Sequence, residues 1–397
     1  MSEGPPALEG ITVLDLSDEF GAYAGRLLAG LGANVITIED DIPRLSPPPH
    51  AEGSYGKISL FEEWVHSGKT KIELDPSRAA HTVERLVEGA DVVIESRHGR
   101  KPGGWHTINP RVVHVVVTPF GWDHSPAWEP VDDLIVLGAG GLLALGGYED
   151  GGPVGAFGGQ SYIAAGTFAA VAALVGLIER NVTGKGNHAD VSAQEAIAQA
   201  LEDSLPTYAL TGNLKEAQGD IAREAGTGIY ACADGYVSMV AGRLGTAKAW
   251  ASLVEWLEAE HADGHELGEQ RWSEFTYRQT DGASRRFREI FENFASTRTK
   301  ASLYLEAQRR GIALSPVSDV SDLLKNEQLL SRGFFYEFHD DTLGTNVAVP
   351  GPPFRLSRSA QPRIGQARRF DGNPDDLVDT LSVTAAGKPA AGSRSQS

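Results

Sequence analysis

The sequence is short of several things that small or membrane-bound proteins depend on. Cys232 is its only cysteine, so it can form no intramolecular disulfide and no cysteine-rich metal site. That absence fits a reducing cytoplasm. Positive charge is scarce: 35 Lys and Arg stand against 53 Asp and Glu, a formal net charge of −18. The resulting mean field repels phosphate backbones and anionic lipid, so neither nucleic acid nor a membrane is expected as a partner. The opening residues lack the basic start and apolar stretch of a signal peptide. The most apolar run, Ile163 to Ile178, has 16 residues and is rich in Ala and Gly. It falls short of the roughly 20 residues that span a bilayer and is expected to be a buried helix.

Familiar motifs are missing too. Gly30-Leu31-Gly32 ends a helix rather than opening one after a strand, and Val35 stands where a third glycine is needed. This disfavours a dinucleotide site and makes Gly32 a helix cap. Gly68-Lys69-Thr70 has Glu63 where a phosphate loop needs its first glycine, and Gly53-Ser54-Tyr55-Gly56 has the wrong spacing for a serine-hydrolase elbow. The 11 histidines show no paired ligand spacing, so no metal is implied.

What the chain does have is length and a core. It has 397 residues, 41% of them hydrophobic and 22% charged, enough for two or three domains. Apolar runs at Ile11–Leu16, Val35–Ile38, Lys71–Leu74, Val92–Ile94 and Val112–Val117 alternate with helical spacing at Gly21–Leu31 and Ser77–Glu88. That alternation predicts an α/β fold with a Rossmann-like, doubly wound parallel sheet. Helices are then predicted at Leu134–Leu145, Tyr162–Glu179 and Ala193–Leu210. A hairpin signal around Ala233-Asp234-Gly235 opens a smaller α+β domain with helices at Ala247–Ala259, Ser284–Phe294 and Lys300–Arg310. The expected organisation is a large domain of residues 1–200 and 325–380, a linker at 201–225, a small domain at 226–324 and a disordered tail at 381–397.

Pro130-Val131-Asp132-Asp133-Leu134 sets two carboxylates at the start of an apolar helix. The residues leave two readings open. An Asp there can cap the helix and complement its dipole. It can also act as a nucleophile, because an aspartate is ionised at neutral pH and needs no partner base to attack an activated acyl group.

From about Leu8 to Arg358 the chain resembles the class III (CaiB/BaiF) CoA-transferases. The opening Leu8-Glu-Gly-Ile-Thr-Val-Leu-Asp-Leu16 and Tyr23-Ala-Gly-Arg-Leu-Leu-Ala29 look like that family's first strand and helix. Further matches are Gly32-Ala-Asn-Val-Ile36, Asn109-Pro-Arg-Val-Val113, Phe120-Gly121, Thr183-Gly-Lys-Gly-Asn-His-Ala-Asp-Val-Ser192 and Val349-Pro-Gly-Pro-Pro-Phe-Arg-Leu-Ser357. The resemblance implies a homodimer of interlocked chains that moves CoA from an acyl-CoA donor to a free carboxylic acid. It implies CoA as co-substrate and no permanently bound cofactor. It assigns the nucleophile to Asp133, with Asp132 in place of the family's tyrosine and serving as a cap.

The family's Glu-Asn-Phe-Arg-Pro-Gly reads Glu95-Ser-Arg-His-Gly-Arg100 here, so the basic residues have moved. Arg44, Lys69, Lys71, Arg97 and Arg100 are the candidate partners for CoA phosphates, each equally readable as solvated surface charge. The glycines at 138, 140 and 141 suit helix packing more than a direct CoA contact, and Ala225–Gly228 matches loosely the family's loop into the small domain, readable either as a cover for the acyl site or as a strand-entry turn. Two alternatives are weighed against transfer. A related 2-methylacyl-CoA racemase would need an acid/base pair where Asp132 and Tyr162 stand, and a non-catalytic acyl-CoA-binding protein would need neither.

Overall fold

The structure, a computed structural model, describes residues 4–39, 59–75, 77–96, 104–122, 131–148, 151–215, 217, 219, 224–241, 247–260, 262, 264–341, 343–361, 364–374 and 376–377. Two compact units emerge: Met1–Gly147 with Pro153–Glu216 and Leu330–Ser397, and Tyr148–Gly152 with Ala217–Leu329.

The larger unit alternates β1 (Thr12–Leu16), α1 (Glu19–Gly30), β2 (Asn34–Glu39), α2 (Leu60–His66), β3 (Thr70–Glu73), α3 (Ala79–Gly89), β4 (Val92–Glu95) and β5 (Val113–Thr118). It continues through α4 (Asp133–Ala139), α5 (Gln160–Thr183), β6 (His188–Ser192), α6 (Ala193–Ala198) and α7 (Ser204–Thr211). The six strands pair in parallel in the order β3-β2-β1-β4-β5-β6. This is the doubly wound order of Rossmann folds, in which the winding reverses between β1 and β4.

Both faces of the sheet are covered, which is why its strands read as nearly unbroken apolar runs. Val13, Ile94, Val113, Val115 and Val117 pack with α1 and α5 on one face. Leu14, Ile36, Ile72 and Val93 pack with Leu86 and Val87 of α3 on the other.

Several expectations needed correction. The predicted helix from Leu134 to Leu145 stops after Ala139. Gly141 has φ 84°, and a Cβ on Gly140 would lie 2.5 Å from Ile197, so glycine here ends the helix and admits α6. The helix expected at Ala193–Leu210 breaks into α6, a short 3-10 turn at Gln199–Leu201 and α7. In contrast, α5 outruns its apolar core and extends over 24 residues between left-handed glycines at 159 and 184. By length and composition alone it could cross a bilayer. One face, with Ala165, Ala169, Ala173 and Leu177, is built into the core of the sheet, and a Cβ on Gly166 would lie 2.7 Å from that of Tyr23 in α1. Gly32, at φ 96°, closes α1 with its N–H on the Ala29 carbonyl, as expected of a cap.

The smaller unit opens on a hairpin of β7 (Thr227–Cys232) and β8 (Gly235–Val240), followed by α8 (Ala247–Ala259), α9 (Gly264–Leu267), α10 (Phe275–Arg278), α11 (Asp281–Ala295) and α12 (Lys300–Arg310). β9 (Ala313–Pro316) then returns to pair antiparallel with β8. Its core is aromatic: Trp256, Trp272, Tyr230, Phe287 and Phe291 are all almost wholly enclosed. Between α8 and α11 the chain, rich in charged residues, holds α9, a 3-10 turn and α10, because Leu267 and Trp272 bury there.

The chain then passes through α13 (Val320–Lys325) and α14 (Glu327–Ser331). In the larger unit it forms an antiparallel hairpin of β10 (Phe335–Asp340) and β11 (Thr345–Pro350). Finally β12 (Arg368–Arg369) adds a seventh strand, parallel to β3. The tail expected at 381–397 lies outside the described residues.

Candidate active site

Open α/β sheets bind ligands beyond the carboxyl ends of their strands, at the point where the winding reverses. Here that point lies between Ser17, which follows β1, and Ser96, which follows β4. Gly21 lines the same notch: a Cβ there would lie 2.7 Å from Ser17 Oγ and 3.0 Å from Ser96 Oγ. The Ser96 hydroxyl is buried and makes no hydrogen bond among the described residues. At the α1 N-terminus the Asp18 carboxylate caps the helix, accepting from Phe20 N at 3.0 Å.

Beneath the notch sits a buried ion pair that the apolar pattern of β1 conceals. Lys69 Nζ lies 2.7 Å from Asp15 Oδ2, both side chains 0% exposed, and it also donates to the Ala22 carbonyl at 2.7 Å. A Cβ on Gly25 would come within 2.3 Å of Asp15 Oδ2, so glycine at 25 makes room for the pair. Lys69, one of the candidate phosphate partners, is thus wholly buried in this ion pair. Lys71, two residues on in β3, is half-buried. Arg44, Arg97 and Arg100 lie outside the described residues.

Asp133 occupies the first turn of α4, with Asp132 as N-cap accepting from Ile135 N at 3.1 Å. The Asp133 carboxylate reaches across to the start of α5. Its Oδ1 accepts from both Ser161 N and Ser161 Oγ, each at 2.7 Å. In return, Asp133 N donates to the Tyr162 hydroxyl at 3.1 Å. Tyr162 is buried, and loss of solvent pushes its phenol well above the usual tyrosine range; the Asp133 N–H opposes the rise, and the Glu19, Asp133 and Asp132 carboxylates add to it. The phenol therefore stays protonated.

Aromatic rings continue from there. Phe20 meets Tyr162 edge-on at 4.8 Å, Phe61 lies 6.1 Å from Tyr162, and Trp64 lies 5.8 Å from Phe61 and stacks on Tyr23 at 5.2 Å. Arg26 caps this row, 4.7 Å over the Trp64 ring, and donates to the carbonyls of Trp64 and Pro350. Burial brings its pKa down to about 10, and the phenols of Tyr23 and Tyr336 oppose the change. Among the tryptophans of this unit, Trp64 joins this row, Trp105 donates its indole N–H to Glu95, Trp122 donates its backbone N–H to Asp190, and Trp128 lies outside the described residues.

Gly140 and Gly141 sit against Ile197 and Leu201, as helix packing requires. In the smaller unit Gly226, at φ 87°, forms the turn that leads into β7. Sequence reasoning missed Asp15, Arg26 and Ser161. A carboxylate inside the apolar β1 was the available signal for the first, and Ser161 had none beyond its place just after two glycines.

The doubly wound sheet and a carboxylate held between two helix starts describe the site, and comparison with known proteins supplies the family. Residues 8–368 match the model of CoA-transferase family III, and the chain belongs to that family. It is 34% identical over 379 residues to succinyl-CoA:(R)-benzylsuccinate CoA-transferase subunit BbsE of Thauera aromatica, covering 90% of this chain and 91% of that one. It is 25% identical over 393 residues to succinate–glutarate CoA-transferase of Agrobacterium fabrum, covering 92% and 95%. A crystal structure of a CaiB/BaiF family protein from Brucella suis superposes with a TM-score of 0.80 at 21% identity, covering 95% of this chain and 100% of that one. That last likeness is one of fold.

Proposed function

We propose that the protein moves CoA between succinyl-CoA and a second carboxylic acid, with Asp133 as the attacking carboxylate. The observation that carries this reading is the pair of Ser161 donors on Asp133 Oδ1. With Oδ1 held, Oδ2 attacks the thioester carbon and the C–S bond breaks. The products are a mixed anhydride and CoA thiolate. The thiolate then attacks the Asp133 Cγ, where charge develops on Oδ1 and Ser161 N–H and O–H are already aimed to receive it. Succinate leaves and an aspartyl-CoA thioester remains. The acceptor carboxylate attacks that thioester, and the returning thiolate takes the acyl group and restores Asp133. CoA is the co-substrate, and no other cofactor enters this route.

Names of the relatives support succinyl-CoA as donor and a dicarboxylic acid as acceptor. Lys71, Arg44, Arg97 and Arg100 are the proposed phosphate partners; buried Lys69 is left out. We assign the chain to the cytoplasm and to an interlocked homodimer.

The same hydrogen bonds favour a second reading. Asp133 could serve as a cap that ties α4 to α5, the attacking carboxylate coming from a second, different chain. The BbsE relative is itself named a subunit, and Tyr162 at the start of α5 carries no carboxylate. Incubating the purified chain with succinyl-CoA and a panel of acids, products identified by mass, tests both. Transfer by the chain alone supports the first reading, and transfer that needs an added chain supports the second.

A further inference from the structure

In the larger unit, between the start of β10 and the segment 352–361 that follows β11, lies a cavity of about 440 Å³ lined by none of the residues assigned a role in the reaction above. That volume suits a small organic ligand. Arg332 and Arg355 both line it, and among the described residues neither is paired with a carboxylate. Other described arginines sit against carboxylates, Arg180 on Asp91, Arg286 on Glu266, Arg288 on Glu292 and Arg310 on Glu306. No Asp or Glu is among the described residues that line the cavity. In a molecule of charge −18, two guanidiniums that line one cavity and have no carboxylate partner among the described residues form a local positive spot.

The rest of the wall mixes aromatic rings with Pro352, Leu356 and the polar Ser359 and Gln361. Phe334, Tyr336 and Phe354 face the cavity, and Phe354 is left 43% exposed on its rim. The backbone is fixed around it. Gly351 N donates to the Phe334 carbonyl at 2.7 Å, Gln361 Nε2 to the Phe354 carbonyl at 2.9 Å, and Ala360 N to the Gly4 carbonyl at 3.0 Å. Guanidiniums bind carboxylates and phosphates through paired N–H groups, and an exposed ring next to them offers a stacking surface.

We propose that this cavity binds an organic anion carrying a flat ring. Two sources share that chemistry, an aryl-substituted carboxylate and the adenosine 3′,5′-bisphosphate end of CoA. None of its lining residues is among the hydrogen-bond partners of Asp133, and the proposal does not depend on the role of Asp133.

Titration calorimetry on the full chain, with phenylsuccinate, adenosine 3′,5′-bisphosphate and inorganic phosphate as separate probes, tests it. At least one ringed anion should bind with a Kd below about 1 mM. The double variant Arg332→Ala/Arg355→Ala should weaken that binding at least tenfold, and Phe354→Leu should weaken it while leaving phosphate unchanged. Both arginines are exposed, so an unchanged circular dichroism spectrum will show that the variants fold. Binding of phenylsuccinate alone assigns the site to an acid, and binding of the bisphosphate alone assigns it to CoA. The proposal is overturned if neither ringed anion binds the native chain below 1 mM, or if the double variant loses less than tenfold.

Discussion

Asp133 holds two helices together and, in the proposed reaction, attacks the thioester, and substitution separates these roles. Asp133→Ala removes two hydrogen bonds to a charged group, a loss of about 1–3 kcal/mol that a domain of this size survives. The variant should fold and lose CoA exchange altogether. Asp132→Asn keeps a good capping residue and should retain activity within about tenfold. Ser161→Ala, which removes one donor from Oδ1, should lower kcat by about 10²-fold with KM little changed. A Ser161→Ala enzyme with native kcat would show that Oδ1 carries no developing charge. Lys69 makes a different prediction. Lys69→Met leaves Asp15 as an uncompensated buried charge and should destabilise the fold by about 3–5 kcal/mol in urea titration. A change in CoA affinity without that loss would restore Lys69 to the phosphate site.

At the scale of elements, the sequence revealed most where one periodicity dominates. β1, α1, β2 and α12 lie within two residues of their expected bounds, because caps and apolar spacing agree there. It revealed least where tertiary contacts decide. β6, with His188 and Asp190 in its span, carries no apolar run and was missed; it forms because β5 offers it a parallel edge. Asp133 was legible as a carboxylate at a helix start, but its link to Ser161 was not, because it joins residues 28 apart in sequence.

The missed strand completes a polar row. His114 lies 3.1 Å from Glu95 through Nε2 and 3.3 Å from His188 through Nδ1, with Asp190 further along β6 and His106 nearby. Burial holds His188 below the usual histidine pKa; His114 and His106 lower it further, and Asp190 and Glu95 oppose them. The unfolded chain therefore binds this proton more readily than the folded one. Stability should be full above about pH 6.5 and fall as pH drops through His188's unfolded value towards its folded one. His188→Gln should flatten that fall in urea titrations at pH 7.5, 6.5 and 5.5. An unchanged slope would place the acid sensitivity elsewhere.

At the scale of the whole molecule, the proposed interlocked homodimer predicts a sedimenting species of twice the chain's mass at micromolar concentration. A monomer there would contradict it. A stable complex formed only with a different chain would favour the two-subunit reading. The central claim, that Asp133 becomes acylated, has a direct test. The chain is mixed with succinyl-CoA, quenched with hydroxylamine, digested and analysed by peptide mass. A hydroxamate is expected on the peptide that contains Asp133 and should be absent from Asp133→Ala. Modification of another residue, or an unmodified chain that still exchanges CoA, would contradict it.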